Sequence, residues 1–209
     1  MCTRLASGAC QSEPESEAGL ENSRPQPRRV GSTPSPGPVI QRLRVPLGFV
    51  IAAAVLYLAR PTGTSILTGL PIALCGAILR ALAAGVIRKD ATLTTSGPYA
   101  WTRNPLYLGS FLLGIGFAIM SGNWIAAALI VLPSFVVYPN VIRREEAHLA
   151  RLFPDQFREY SAEVPRFFPR FRPASGTFSM KQYFANREYQ TALGFSVMLA
   201  IFIVKWRLL

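Results

Sequence analysis

The chain has 209 residues, half of them hydrophobic, few of them charged, and a formal net charge of +11. Its mean hydropathy of +0.28 sets it apart from soluble domains and places it among membrane proteins. The basic balance does not point to nucleic acid, because the arginines flank apolar runs, where anionic lipid headgroups are their natural partners. Cys2, Cys10 and Cys75 fit neither a metal site nor a disulfide framework, and the single His148 excludes a His-rich metal cluster and argues against a Ser-His-Asp triad.

Residues 1–40 are rich in Ser, Pro, Gly, Glu and Arg and cannot bury enough surface to order themselves. They also lack the apolar centre of a signal peptide. A disordered cytoplasmic tail is expected there, a membrane core over 41–173, and a linker plus one more hydrophobic helix over 174–209.

Val45–Ala59 is the first apolar run. It is short for a hydrocarbon core of ~30 Å, and Arg42 and Arg44 can extend it by snorkelling. Ser65–Ile87 is the second span. Its small residues (Gly69, Gly76, Ala77, Ala81, Ala84, Gly85) permit close helix contact. Arg80 lies well inside it, which makes it a functional candidate for binding substrate. Snorkelling toward Arg88 is the structural alternative.

Ala91–Tyr107 is the long polar link between two apolar spans. It holds turn formers at Ser96-Gly97-Pro98, the aromatics Tyr99, Trp101 and Tyr107, and the cation Arg103. Asn104-Pro105 reads as a helix start, with Asn as N-cap and Pro at the first helical position. A helix start at a membrane surface suits a carboxylate or phosphate.

Leu106–Met120 and Trp124–Tyr138 form the third and fourth spans. Only Ser121-Gly122-Asn123 joins them, which requires an antiparallel hairpin. Pro133 should kink the fourth and Pro139 should loosen its exit. Val141–Phe153 follows as an amphipathic helix. Tyr138, Ile142, Leu149 and Phe153 share one face, Glu145 and Glu146 sit on its two edges, and Arg143, Arg144 and Arg151 point away. The aromatic and basic stretch that follows reads as an interfacial segment. Thr191–Val204 is a fifth, short apolar run.

With the N-terminus cytoplasmic, eighteen Lys and Arg lie on that side against three on the other, with Arg80 in the membrane. The positive-inside rule then puts the polar link, the paired glutamates and the V-P-R-F-F-P segment on one cytoplasmic face. The expected fold is an all-α polytopic bundle of about five membrane helices with an interfacial C-terminal segment.

T-L-T-T-S-G-P-Y-A-W-T-R-N-P-L-Y-L-G, then R-R-E-E-A-H-L, then F-P-D-Q-F-R-E-Y and V-P-R-F-F-P together resemble the signature of the isoprenylcysteine carboxyl methyltransferase family. The resemblance covers about Ile72–Pro169. It implies an integral-membrane methyltransferase that uses S-adenosylmethionine on the cytoplasmic side. By position, it places Thr92, Leu93, Thr94, Tyr99, Asn104, Pro105, Leu106, Tyr107 and Glu145 along the cofactor, and the cation Arg103 of the same link is a further cofactor-binding candidate. Arg143, Arg144, Glu146 and Arg80 are the candidates for the acceptor, a lipophilic or lipidated molecule. The sequence departs from the family pattern at Asn104 and Ala91, where His is frequent. It departs also at Val141, where the eukaryotic enzymes carry a substrate-binding Arg. The resemblance therefore speaks to the cofactor and leaves the acceptor open.

The chemistry needs little from the protein. A carboxylate is ionised at neutral pH, so methylating it requires no general base, only placement and a dry site. Phospholipid N-methyltransferases and sterol reductases share parts of these motifs. The reductases have many more spans. A non-enzymatic scaffold would show no saturable binding of S-adenosylmethionine.

Overall fold

The computed structural model describes residues 38–88 and 92–208, with side chains from residue 48 onward. The expected tail, Cys2 and Cys10 lie outside the described residues, as do the Arg42 and Arg44 side chains and Ala91. The chain divides into two compact units, Met1–Gln41 and Arg42–Leu209. Of the first, only the backbone from Pro38 is described; the core and site below belong to the second.

The described residues are helical, with no strand among them. In order, the elements are α1 (Pro38–Leu58), α2 (Gly63–Val86), a 3₁₀ turn (Gly97–Ala100), α3 (Pro105–Met120), α4 (Trp124–Leu152), α5 (Pro154–Glu163), α6 (Met180–Ala185) and α7 (Tyr189–Leu208). Three of them, α2, α4 and α7, are long and apolar enough to cross a membrane. Gly48–Leu58 of α1 and the whole of α3 are apolar but shorter. At 1.5 Å per residue, α3 reaches about 24 Å, less than a hydrocarbon core.

Close approach of α2 and α3 builds the centre of the bundle. The side chains that would keep the two backbones apart are missing at Gly69, Gly76, Gly109 and Gly116. A Cβ at Gly76 would lie 2.5 Å from the Gly109 carbonyl oxygen, and one at Gly69 2.5 Å from that of Gly116. Small residues at such a crossing let dispersion act between backbones in a medium with no hydrophobic drive. Ala73, Phe117 and Met120 continue this core, joined by Ala59 from the chain after α1 and by Phe202 of α7. Any branched residue at Gly76 must push the helices apart. Gly76→Val is therefore expected to cost about 1–3 kcal/mol by overpacking, read as a lower unfolding midpoint in detergent; a parent-like midpoint would refute this contact.

Two sequence expectations change. The fourth span and the amphipathic helix are one helix, α4, which runs through Pro133 and Pro139. In an apolar medium, a helix that stops leaves several backbone groups unsatisfied, which costs more than the single bond a proline removes. The Asn140 side-chain amide donates to the Val136 carbonyl at 2.8 Å, one residue beyond the Phe135 carbonyl that Pro139 leaves without its donor. The second change concerns 174–188, expected as a linker. It contains α6 and is tied to the end of α2: the Ser179 amide donates to the Gly85 carbonyl, and Asn186 Nδ2 donates to the Ala84 carbonyl at 2.8 Å.

The two loops at the far end also meet, with the Arg60 amide donating to Ser121 O at 2.7 Å. Gly122 turns that corner at φ +60°, and a Cβ there would strike the Arg60 carbonyl.

Candidate functional site

The polar link folds into a shelf at the start of α3. Gly97 takes φ +59°, and the 3₁₀ turn that follows buries Pro98, Tyr99 and Ala100. Asn104 occupies the N-cap position and Pro105 the first helical position, as the sequence predicts. The Asn104 side chain, however, makes no capping bond. Its amide nitrogen is used elsewhere, donating to the Arg166 carbonyl at 2.9 Å and toward Glu146 Oε1 at 3.4 Å. The start of α3 is thus left without a side-chain cap.

A strap formed by residues 165–175 holds the shelf down. The Arg103 amide donates to the Pro165 carbonyl at 2.9 Å, the Arg170 amide to Trp101 O at 2.9 Å, and the Gly97 amide to Ser175 O at 2.7 Å. Thr102, 1 % exposed, gives its hydroxyl to the Arg166 and Phe167 carbonyls. Trp101 Nε1 donates to Arg172 O at 2.8 Å, and Arg172 Nε returns to Ala100 O at 2.9 Å. The V-P-R-F-F-P motif therefore works largely through its backbone, supplying acceptors to a loop that has no regular ladder of its own.

The two glutamates on α4 have different surroundings. Glu146 is 8 % exposed. It faces Arg103 Nη1 at 3.3 Å and Arg166 Nη2 at 2.8 Å, and it accepts from Arg166 Nε at 2.9 Å. It ties shelf, strap and helix together. Glu145 is exposed in the chain, and its carboxylate borders a cavity of about 250 Å³. Thr92, Leu93, Thr94, Tyr99, Arg103, Asn104, Pro105, Leu106, Tyr107 and Glu146 also line this cavity. The polar link and the glutamate helix therefore meet at one hollow, which Phe157 and Tyr160 of α5 also line, whereas V-P-R-F-F-P does not border it. A polar hollow of about 320 Å³ adjoins it and shares Arg88, Thr92, Leu93 and Thr94. Together the two hollows fall within the size range of small-molecule sites, about 300–1,000 Å³.

Two buried polar atoms at this cavity lack a hydrogen-bond partner among the described residues: the Tyr99 hydroxyl and Arg103 Nε. Buried polar groups are rarely left so unless a ligand or water completes them. Burial, reinforced by the nearby Glu145 carboxylate, pushes the Tyr99 phenol well above its usual range. Tyr99 therefore stays neutral, and its unpartnered hydroxyl is available as a donor to a ligand. Burial likewise raises Tyr160, whose hydroxyl donates to the Tyr99 carbonyl at 2.8 Å.

Arg143, Arg144 and Arg80 do not border this cavity. Arg143 lies with Arg166 along a separate, mostly apolar groove of about 490 Å³, walled by Phe111, Phe135, Ile142 and Phe167. Arg144 is exposed. The Arg80 guanidinium is engaged by Glu188, at 2.7 Å between Nε and Oε1. Sequence reasoning missed Arg88, His148, Leu149, Phe157 and Tyr160 among the lining residues. His148 was findable, being one turn after Glu145 on the same helix, and Phe157 and Tyr160 sit inside the quoted F-P-D-Q-F-R-E-Y motif. Among the described residues, no group of three His, Cys, Asp or Glu is placed to hold a metal ion.

The fold and the site define an all-helical integral membrane protein, with a polar, partly buried cavity where a helix start meets a pair of acids. Residues 81–156 match the family described as phospholipid methyltransferase. The chain is 35% identical over 81 residues to the protein-S-isoprenylcysteine O-methyltransferase of Schizosaccharomyces pombe, covering 39% of this chain and 34% of that one. It is 36% identical over 78 residues to the human protein of the same name, covering 37% and 28%. It is also 36% identical over 135 residues to a cobalt-zinc-cadmium resistance protein of Cupriavidus metallidurans, covering 61% and 62%. These comparisons bear out the family resemblance read from the motifs. The chain spans less than two thirds of the length of each of these relatives. No solved structure matches it.

Proposed function

We propose that the protein is a membrane methyltransferase that binds S-adenosylmethionine in the Tyr99–Glu145 cavity and O-methylates a carboxylate on a lipophilic acceptor. The observation that carries this reading is the convergence of Thr92–Thr94, Tyr99, the uncapped start of α3 and Glu145 on one cavity with two partnerless buried polar atoms. Those residues suit this cofactor. Arg103 and the amide end of α3 suit an amino-acid carboxylate. Glu145 suits an ammonium or ribose hydroxyls, and the neutral Tyr99 hydroxyl is a fixed donor.

When bound, the cofactor supplies an electrophilic methyl group on a sulfonium. The protein's part is to position and to dry. The strap over 97–103 shields one side. The ring pair Tyr107–Tyr138, 5.5 Å between centroids, stands between the cavity and the lipid-facing grooves that Tyr138 also lines. Excluding water favours reaction of oppositely charged groups, since their charges cancel in the transition state. Arg143, at one end of the 490 Å³ groove, offers a bidentate partner for the acceptor's carboxylate. Phe168 and Phe171, 82 % and 76 % exposed, lie beside Arg166 and Arg170 and suit the headgroup layer. Counting α1 and α3 with the three longer helices gives a five-span reading, and the charge bias supports a site on the cytoplasmic side.

A second reading, N-methylation of a phospholipid amine, draws on the matched family's description as phospholipid methyltransferase. One experiment separates the two. Purified protein is given cofactor with a tritiated methyl group and a total lipid extract. Base-labile label is the expected result and means a methyl ester; stable label in phospholipid would replace it with N-methylation. No transfer, together with no saturable cofactor binding, would leave neither.

A further inference from the structure

The ion pair between Arg80 and Glu188 reaches across 108 residues of sequence and joins the helix before the site to the residue just ahead of α7. Arg80 Nε lies 2.7 Å from Glu188 Oε1, and Nη2 lies 2.9 Å from Oε2. The pairing is bidentate, and Glu188 is 7 % exposed. Nη2 also donates to Thr191 Oγ1 at 3.2 Å, inside the first turn of α7. The remaining guanidinium nitrogen turns the other way. Nη1 donates to Ser110 Oγ and, at 3.4 Å, to the Leu106 carbonyl. Ser110 gives its own hydroxyl to that same carbonyl at 2.9 Å.

The Leu106 carbonyl is therefore held from two directions, and Leu106 lines the cofactor cavity. Glycine at 109 lets the arginine pass, since a Cβ there would come within 2.7 Å of Arg80 Cγ. A planar guanidinium can serve a carboxylate on one edge and a carbonyl on another. A lysine ammonium is a single point charge and cannot span both.

We infer that Arg80 and Glu188 are positioning residues. Through Ser110 and the Leu106 carbonyl, they fix the first turn of α3 at the register cofactor binding needs, and they make α7 part of the working site. Both residues lie outside the 81–156 stretch that matches the family. Neither lines the Tyr99–Glu145 cavity. Their contacts reach the cavity through α3, while the Arg80 charge is also felt at Tyr99. The functional half of this inference rests on the methyltransferase reading; the mechanical half does not.

Four variants test it: Glu188→Ala, the reciprocal Arg80→Glu/Glu188→Arg, Arg80→Lys, and Ser110→Ala, which leaves no buried charge unpaired and so keeps the fold. Amide hydrogen exchange is measured on protein without cofactor, and S-adenosylmethionine affinity by calorimetry. Glu188→Ala and Arg80→Lys should exchange faster at Leu108–Ser110 and bind cofactor about tenfold more weakly, with Ser110→Ala following at about threefold. The reciprocal pair should recover the unfolding midpoint but not the affinity, because a glutamate at position 80 has no N–H for the Leu106 carbonyl. A purely structural ion pair would instead recover both together. Unchanged exchange in the first turn of α3 across all four variants would overturn the inference whatever the cofactor does. If the parent protein binds no cofactor while the exchange changes appear, the methyltransferase reading falls and the mechanical coupling stands.

Discussion

Glu146→Ala should lower the unfolding midpoint and abolish cofactor binding together. The carboxylate sits among Arg103, Arg166 and Asn104, and its removal leaves two guanidinia without their counter-charge. Arg103 is the expensive one, with its side chain only 14 % exposed, whereas Arg166 at 54 % can turn to water. Breaking a buried pair costs about 3–5 kcal/mol, and the half-exposed arm adds little. About 3 kcal/mol is therefore expected from the Arg103 side. The loss falls on the joint between α4, the shelf and the strap, so the cavity loses its wall as well as its charge balance. Glu146→Gln keeps the shape and can still accept from Asn104 and one arginine, so it should fall between Ala and the parent. The check is a thermal unfolding series in detergent beside calorimetry with S-adenosylmethionine. An Ala variant with parent-like midpoint and affinity would remove Glu146 from its place as the keystone.

Much of this site was legible before any coordinates. The helix start at Asn104-Pro105 declares itself because proline at the first helical position loses no bond. The small residues of α2 declare its packing face, because only backbone approach needs them. The two acids at 145 and 146 stand out beside an apolar face that would otherwise exclude charge. The failures have a common cause, which is that local rules do not say who the partner is. Asn104 reads as a cap, but its amide is drawn to the Arg166 carbonyl 62 residues on. Arg80 reads as an intramembrane charge facing a substrate or snorkelling toward Arg88, and its ion-pair partner Glu188 went unseen because it lies in a stretch whose composition reads as a linker. Pro133 and Pro139 read as a kink and a loosened exit, and the span and the amphipathic helix as two pieces, because the rule for water ignores what a broken helix costs in lipid. Likewise, neighbouring acids look alike in sequence, and only the fold decides which one is buried against arginines and which one borders the cavity.

That division sets up the converse result. Glu145→Gln should leave the unfolding midpoint nearly unchanged, since the residue is exposed and the Tyr107 hydroxyl that hydrogen-bonds to it can still donate to the amide oxygen, yet weaken cofactor binding about 10- to 100-fold. A hydrogen bond to a charged group is worth about 1.5–3 kcal/mol, and each 1.4 kcal/mol is about tenfold in affinity. The amide keeps the carboxylate's size, so the change isolates charge. Two ligands then locate the charge. If Glu145 holds the amino group or ribose, S-adenosylmethionine and its demethylated product should weaken by the same factor, because both carry those groups. If it faces the sulfonium, only the charged cofactor should weaken. A neighbouring Tyr99→Phe change should add its own loss, because the hydroxyl has no other partner among the described residues. The two losses should fall short of additive, since Glu145 and Tyr99 are electrostatically coupled across the same cavity. An unchanged dissociation constant in Glu145→Gln, with the protein folded, would take the cofactor out of this cavity, because no other exposed carboxylate among the described residues borders it.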